Sequence, residues 1–329
     1  MLLGIAAGGV VGGLIYVAAR GHTAPSDFAI GVSYGLLISL AIGSLEIFMG
    51  AGPLRLWFGS LSFGASLALR STLYAAVIIP IQYFEIGTII HGPGIAPSQQ
   101  SFWAATAFSA VFSVAMNLIL GIINLVGRRA FFNFLTGRYH DPVEECRFVL
   151  FVDIAGSTRL AQRFGGVGIH RFLDRTFRLL ALSATDFRGE VLDYVGDEVI
   201  VTWPEKVGAV DCRPLRCFID MRVALDHAAP HLMREFGAVP KIRGSLHFGS
   251  VVIGEIGDIK RAIVFTGDVM NIAARLEELS RETEGGFLVS RAAMERFNAA
   301  PPVAVRDLGR MEIRGRSDGI DVFGFAAAG

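Results

Sequence analysis

The stretch that decides the fold opens RFVLFVDIAGSTRLAQRFG (147–165) and closes GEVLDYVGDEVIVTWP (189–204). Phe148–Val152 is a continuous apolar run, the pattern of a buried strand. Val191–Val195 and Glu198–Trp203 flank Gly196-Asp197, which predicts a β-hairpin with the aspartate at its turn. Asp153 and Asp197 thus interrupt apolar sequence where a carboxylate adds nothing to a core. A turn aspartate alone is usually turn chemistry. Two aspartates at the ends of neighbouring strands suggest one shared metal site, because carboxylate oxygens are the hard ligands magnesium and manganese take.

Between them, Gly156-Ser157-Thr158 precedes a helical pattern. Free N–H groups at a helix start favour an anion, phosphate in particular, and Ser157 and Thr158 are also expected N-caps. Leu160 and Phe164, then Phe172, Leu173, Phe177 and Leu180, predict two helices. Downstream, a long helix is expected over about Asp211–Phe236. His227 and His231 on it are four apart, but Pro230 lies between them and no HExxH occurs, so they read as solvated surface. Lys241–Gly249 and Val251–Gly257 read as a second hairpin. Their glycines are followed by strand residues, which excludes a Rossmann fingerprint, and there is no P-loop motif. After a strand at Ala262–Phe265, Thr266–Asn271 opens a helix that places Asn271 and Arg275 four apart on one face. Alone, such a pair is a solvated face. Short strands follow at Met311–Arg316 and Asp321–Phe325.

The 329 residues suit about two domains, and a net charge of zero gives no argument for nucleic-acid binding, which would want a basic face, so no nucleic-acid partner is expected. Residues 1–126 contain only Arg20, Arg55, Arg70, Asp27, Glu46 and Glu85 as acids, lysines or arginines. Four apolar stretches there, 2–18, 28–49, 71–90 and 103–126, are each near the ~20 residues a bilayer core requires. An even number puts both termini on one side. Arg128-Arg129, Arg55 and Arg70 place that side in the cytoplasm, with Arg20 the exception, so the expected location is a multi-pass inner or plasma membrane. The first stretch as a cleaved signal is the alternative. Gly4, Gly8 and Gly12, then Gly31 and Gly35, mark small-residue faces for packing within a bundle or between copies. Glu46, Arg70 and Glu85 fall near helix ends, where long side chains reach the interface, and Pro80 is expected to kink its helix without ending it. A linker at 127–146 turns amphipathic and then acidic, its helix ending near Gly137 and Pro142. Cys146, Cys212 and Cys217 lack CxxC spacing and read as reduced thiols.

The soluble part, 147–329, resembles the class III nucleotidyl cyclase catalytic domain. FVDIAGST, YVGDE, IRGSLHFG, GDVMNIAARLE and EIRGR occur in the family's order. The resemblance implies metal ligation by Asp153, Asp197 and the Ile154 backbone, with two divalent cations, magnesium or manganese. Phosphates would be held by Gly156, Ser157, Thr158, Arg243 and Arg314. Asn271 would orient the ribose and Arg275 would stabilise charge at the α-phosphate. It also implies a head-to-tail homodimer, with the aspartates from one chain and the Asn/Arg pair from the other. The expected fold is a mainly antiparallel, ferredoxin-like βαββαβ sheet with helices on one face, behind a four-helix transmembrane region.

Two base-reading positions depart from the pattern. Asp193 stands where adenylate cyclases commonly carry lysine, and Val264 where aspartate or threonine is frequent. A carboxylate at Asp193 can accept either the adenine amino group or the N1–H and amino hydrogens of guanine. The expected activity is ATP to cyclic AMP and pyrophosphate at a membrane lipid bilayer, with GTP the alternative. A catalytically degenerate domain serving signalling or dimerisation is the non-enzyme reading, and a transporter with a regulatory domain is a third.

Overall fold

The computed structural model describes residues 10–11, 14, 25–49, 54, 57–58, 61–85, 99–259, 261–313 and 319–325. The chain divides into two compact units, Met1–Phe131 and Phe132–Gly329.

The first unit holds α1 (Pro25–Met49), α2 (Phe63–Glu85) and α3 (Gln99–Val126). At about 1.5 Å per residue all three are long enough for a ~30 Å hydrocarbon core. Among the described residues one helical stretch, Phe63–Ile81, meets both length and hydropathy requirements for crossing a membrane, and Gly35–Met49 and Ser109–Ile123 are shorter apolar stretches. The first expected segment, with Gly4, Gly8 and Gly12, lies outside the described residues apart from 10, 11 and 14. α2 starts ahead of the expected Ser71 and runs through Pro80, so Arg70 is inside the helix. There Arg70 donates two hydrogen bonds of 2.8 Å to Glu46 of α1, and the Tyr74 hydroxyl donates to the same carboxylate. Glu46 and Arg70 therefore neutralise each other instead of reaching separately for the interface, the cheaper arrangement among apolar helices. The side chain of Glu85 lies outside the described residues.

A short helix, α4 (Arg128–Thr136), is followed by Gly137 at φ 64°, and Pro142 immediately precedes β1 (Val143–Ile154). The strand begins five residues before the expected Phe148. The second unit continues with α5 (Ser157–Asp186), β2 (Glu190–Val195), β3 (Glu198–Pro204), α6 (Arg213–Phe236), β4 (Ile242–Ile256), β5 (Ala262–Thr266), α7 (Asp268–Ser280), β6 (Phe287–Ser290), β7 (Val305–Met311) and β8 (Ile320–Phe325). The first four strands lie in the order β2-β3-β1-β4, every neighbouring pair antiparallel, as the βαββαβ reading requires. The sheet is nonetheless mixed, because β4 pairs in parallel with β6 before the antiparallel β8 and β7.

Three expectations need correcting. Helices cover both faces of the sheet: α5 and α6 pack on Phe148, Leu150 and Val152, while α7 packs through Val269 and Ala273 on Val149 and Phe151. The uninterrupted apolar run of β1 requires this, since alternate residues point to opposite faces and both sets must be covered. The expected hairpin at 241–257 is a single 15-residue strand. β1 pairs with it without a break from Val143↔Ile253 to Ile154↔Ile242, so Gly249 is a ladder residue, and a Cβ there would meet Val269 at 3.3 Å. Finally, Gly156 at φ 75° precedes α5 with no side-chain cap, so Ser157 and Thr158 are the first helical residues and not its caps. α5 breaks at Gly165 (φ 69°, ψ 173°), which gives the two helical segments expected.

Candidate active site

Asp153 is the penultimate residue of β1, placed between β3 and β4, where its register partners are Glu198 and Arg243. Asp197 occupies the β2–β3 turn beside Gly196, whose φ of 64° suits glycine. The turn is tied back to β1 by the Ile154 N–H donating to the Asp197 carbonyl at 3.3 Å. Strand pairing and one turn bond therefore bring together two aspartates 44 positions apart in the chain. Their carboxyl groups share a hydrogen bond. Asp153 is buried, 3% exposed.

Burial, with that hydrogen bond to Asp197, pushes Asp153 up to about 7 against the pull of Arg243. Asp197, despite partial burial acting in the other direction, is held below the usual carboxylate range by hydrogen bonds from Ser157 and Asp153. The two carboxyls are thus driven apart in acidity, as expected of a close like-charged pair. Glu198 is also pushed up to about 7, first by burial and then by Glu277, Asp153 and Asp197.

Arg243 donates to Asp153 Oδ2 from Nε at 2.9 Å and from Nη2 at 2.7 Å. Its expected phosphate-facing role thus starts from a guanidinium lying on a candidate metal ligand. Gly156 and the uncapped start of α5 adjoin the same corner, with Ala155 N–H donating to the Lys241 carbonyl at 2.8 Å. Helix-start donors without a side-chain cap suit phosphate oxygens. Ser157 directs its hydroxyl to Asp197, and Thr158 is exposed.

Asn271 and Arg275 are not placed with this group. The buried positions of α7 are Val269, Ile272, Ala273, Leu276, Glu277 and Ser280; Asn271 is exposed and Arg275 half-buried. At about 100° per residue, Arg275 lies about 160° and Asn271 about 120° round the helix from Glu277, the residue that faces Arg243. Asp193 is exposed beside a bulge in β2, its Oδ1 accepting from the Tyr194 N–H at 2.8 Å. Val264, on β5, pairs with Gly254 of β4. Arg314 lies outside the described residues. His227 and His231 are solvent-facing as expected, His231 lying 2.9 Å from Arg175.

Sequence reasoning missed Glu198, Glu277 and Arg281, which complete the charged cluster. A signal existed for Glu277: with Val269 and Ala273 it repeats every fourth residue on an otherwise buried stripe, an unusual place for an acid.

Residues 139–325 match the adenylate and guanylate cyclase catalytic domain family. The chain belongs to this family. It is a nucleotidyl cyclase. It is 34% identical over 266 residues to adenylate cyclase 2 of Rhizobium meliloti strain 1021, covering 79% of this chain and 73% of the relative. It is 24% identical over 181 residues to an adenylate cyclase of Anabaena cylindrica, covering 53% of this chain and 36% of that one. Among solved structures, a bacterial light-regulated adenylyl cyclase superposes with a TM-score of 0.56 at 18% identity, covering 69% of this chain and 65% of the other. At that identity the likeness is one of fold.

Cyclases of this family generally work with divalent cations. Among the described residues no group of three or more His, Cys, Asp or Glu side chains is placed to hold a metal ion alone. The donors nevertheless fit one: two carboxylates brought together at adjoining strand ends, one of them buried, are hard oxygen ligands whose mutual repulsion a cation relieves. Magnesium commonly binds through one or two carboxylates, its remaining positions filled by water and substrate phosphates.

Proposed function

We propose that the protein is a membrane-anchored adenylate cyclase that converts ATP to cyclic AMP and pyrophosphate as a homodimer. The observation that carries the catalytic reading is the contact between Asp153 and Asp197 at the strand ends, beside the uncapped start of α5 and Arg243. In the reaction the 3′-oxygen bonds to the α-phosphorus, the bond from that phosphorus to the bridging oxygen breaks, pyrophosphate leaves, and the hydroxyl proton passes to solvent. Asp153 and Asp197 would hold two divalent cations, with the Ile154 carbonyl as a further ligand. Bound there, the cations supply positive charge to the attacking and leaving oxygens.

The remaining work falls to side chains and backbone. Ser157 orients Asp197, and the amides that open α5 hold phosphate oxygens. Arg243 meets the terminal phosphates once it leaves Asp153, and Arg314 would meet them as well. Asn271 orients the ribose while Arg275 balances charge accumulating at the α-phosphate. Since Asn271 and Arg275 lie off the face of α7 that meets the sheet, a second copy of the chain is the natural source of that pair.

The preference for ATP rests on the 34% identical relative named as an adenylate cyclase. Asp193 supports GTP as a second reading, because its exposed carboxylate can accept both guanine hydrogens. The anchor rests on three described helices of 25, 23 and 28 residues with outward apolar side chains such as Phe48, Trp103 and Val111, together with the apolar segment at 2–18. The purified chain is expected to form cyclic AMP from ATP with magnesium or manganese, and Asp197→Ala is expected to abolish this. Product from GTP alone would transfer the assignment to cyclic GMP, and no product from either, in a protein that binds metal, would favour the degenerate module. Residence of the chain in the soluble fraction after carbonate extraction would refute the anchor.

A further inference from the structure

α7 carries a carboxylate with no part in the chemistry above. Glu277 is 2% exposed, and its Oε1 has no hydrogen-bond partner. Its close ionic neighbours are Arg243, with Nε 3.6 Å away, and Arg281, with Nη2 3.2 Å away. The same two arginines reach Asp153 Oδ2, at 2.7 Å and 3.9 Å. Two guanidiniums are therefore shared between two buried carboxylates, of which one is a candidate cation ligand. A buried charge survives only with a counter-charge, so whatever takes Asp153 from the arginines must leave them another acceptor.

We propose that Glu277 is a positioning residue, the acceptor that takes over Arg243 and Arg281 when a divalent cation binds Asp153. The inference rests on the cation site assigned above to Asp153 and Asp197. Leaving the arginines on Asp153 beside a divalent ion would bring like charges together. Moving them to Glu277 requires only side-chain rotation, because the distances are already 3.2 and 3.6 Å. The exchange also turns Arg243 away from Asp153 while keeping it in the site, where a substrate phosphate can meet it. Glu277 thus sets cation affinity without ligating the cation, and Arg281 competes with that cation.

The two roles predict shifts of opposite sign in a measurement that needs no turnover. The 329-residue chain, stripped with EDTA and dialysed, is titrated with manganese alone, free Mn(II) being read by its electron paramagnetic resonance. Asp153→Asn is expected to weaken binding more than tenfold. Glu277→Gln is expected to weaken it about tenfold, the effect of one neighbouring charge. Arg281→Gln, at a side chain 49% exposed, is expected to tighten it about threefold. Were Glu277 purely structural, Glu277→Gln would lower the melting temperature and leave manganese affinity like wild type. That result, with Asp153→Asn still weak, overturns the proposal and leaves the cation site standing. Manganese binding indifferent to Asp153→Asn overturns both. Should Glu277→Gln fail to fold, Glu277→Asp, which keeps the charge but draws it back from Arg243 and Arg281, is titrated instead, and manganese affinity unchanged from wild type there overturns the proposal.

Discussion

Two inactive variants should restore one another if the site is built across two chains. Asp153→Ala removes a candidate cation ligand, and Arg275→Ala removes a cation that lies about 160° round α7 from Glu277, away from Asp153 of its own chain. Each alone is expected to lose at least about 100-fold in activity, the scale of losing one charge-stabilising group. When the two are co-expressed in equal amounts, random pairing makes about half of the dimers mixed. A mixed dimer has one site with both defects and one with neither, so total activity should return to about a quarter of wild type. Cyclic nucleotide production in membranes from co-expressing cells gives the readout, with Asp153→Ala plus Asp197→Ala as the control. Those two defects belong to the same half-site, so every combination in that control stays inactive. Recovery absent from the first mixture, with co-purification of differently tagged chains confirmed, would refute a site shared between chains.

Three further outcomes follow from particular contacts. Gly244→Ala would place a Cβ 2.2 Å from the Phe151 carbonyl oxygen, in the central β1–β4 ladder, and should cost about 3 kcal/mol, read as a lower melting temperature. Asp153, at about 7, is raised above the ordinary carboxylate value of about 4. Its contribution to stability is therefore fully present below about pH 4 and lost as pH rises through about 7. Calorimetry should show EDTA-stripped protein losing stability over that range, and manganese raising the melting temperature more at about pH 8 than at about pH 6. Arg70→Ala leaves the Glu46 carboxylate with Tyr74 as its hydrogen-bond donor; with both partners about a quarter exposed, the expected loss is about 1–3 kcal/mol, partly recovered by Arg70→Lys in a melting assay in detergent.

The strands carrying the site were legible because their signals are local. An apolar run ending in Asp153 and a Gly-Asp turn between two β patterns fix β1, β2 and β3 without reference to anything distant. Gly249 marks no turn: glycine there lies in the ladder, where a Cβ would come within 3.3 Å of Val269. One sequence symbol serves both uses, and only the packed helix distinguishes them. The expectation of helices on one face failed for a related reason: the pattern of β1 already required cover on both sides, but which helix supplied it depended on the long-range placement of α7. Arg243 shows the same boundary. Its proximity to Asp153 follows from the register of β4 across β1, which no local pattern reveals.

α7 presents two chemically different sides. Its buried stripe anchors it to the sheet through Val269 and Ala273 and ends in Glu277, directed at the arginines around Asp153. Its other side carries Asn271 and Arg275. In the proposed dimer one rigid helix would therefore govern the charge balance beside its own chain's aspartates and deliver transition-state groups to the partner's. A small rotation or shift of α7 would alter both sites together, because Glu277 and Arg275 are two residues apart on a helix. Such coupling needs no separate signalling path within the domain.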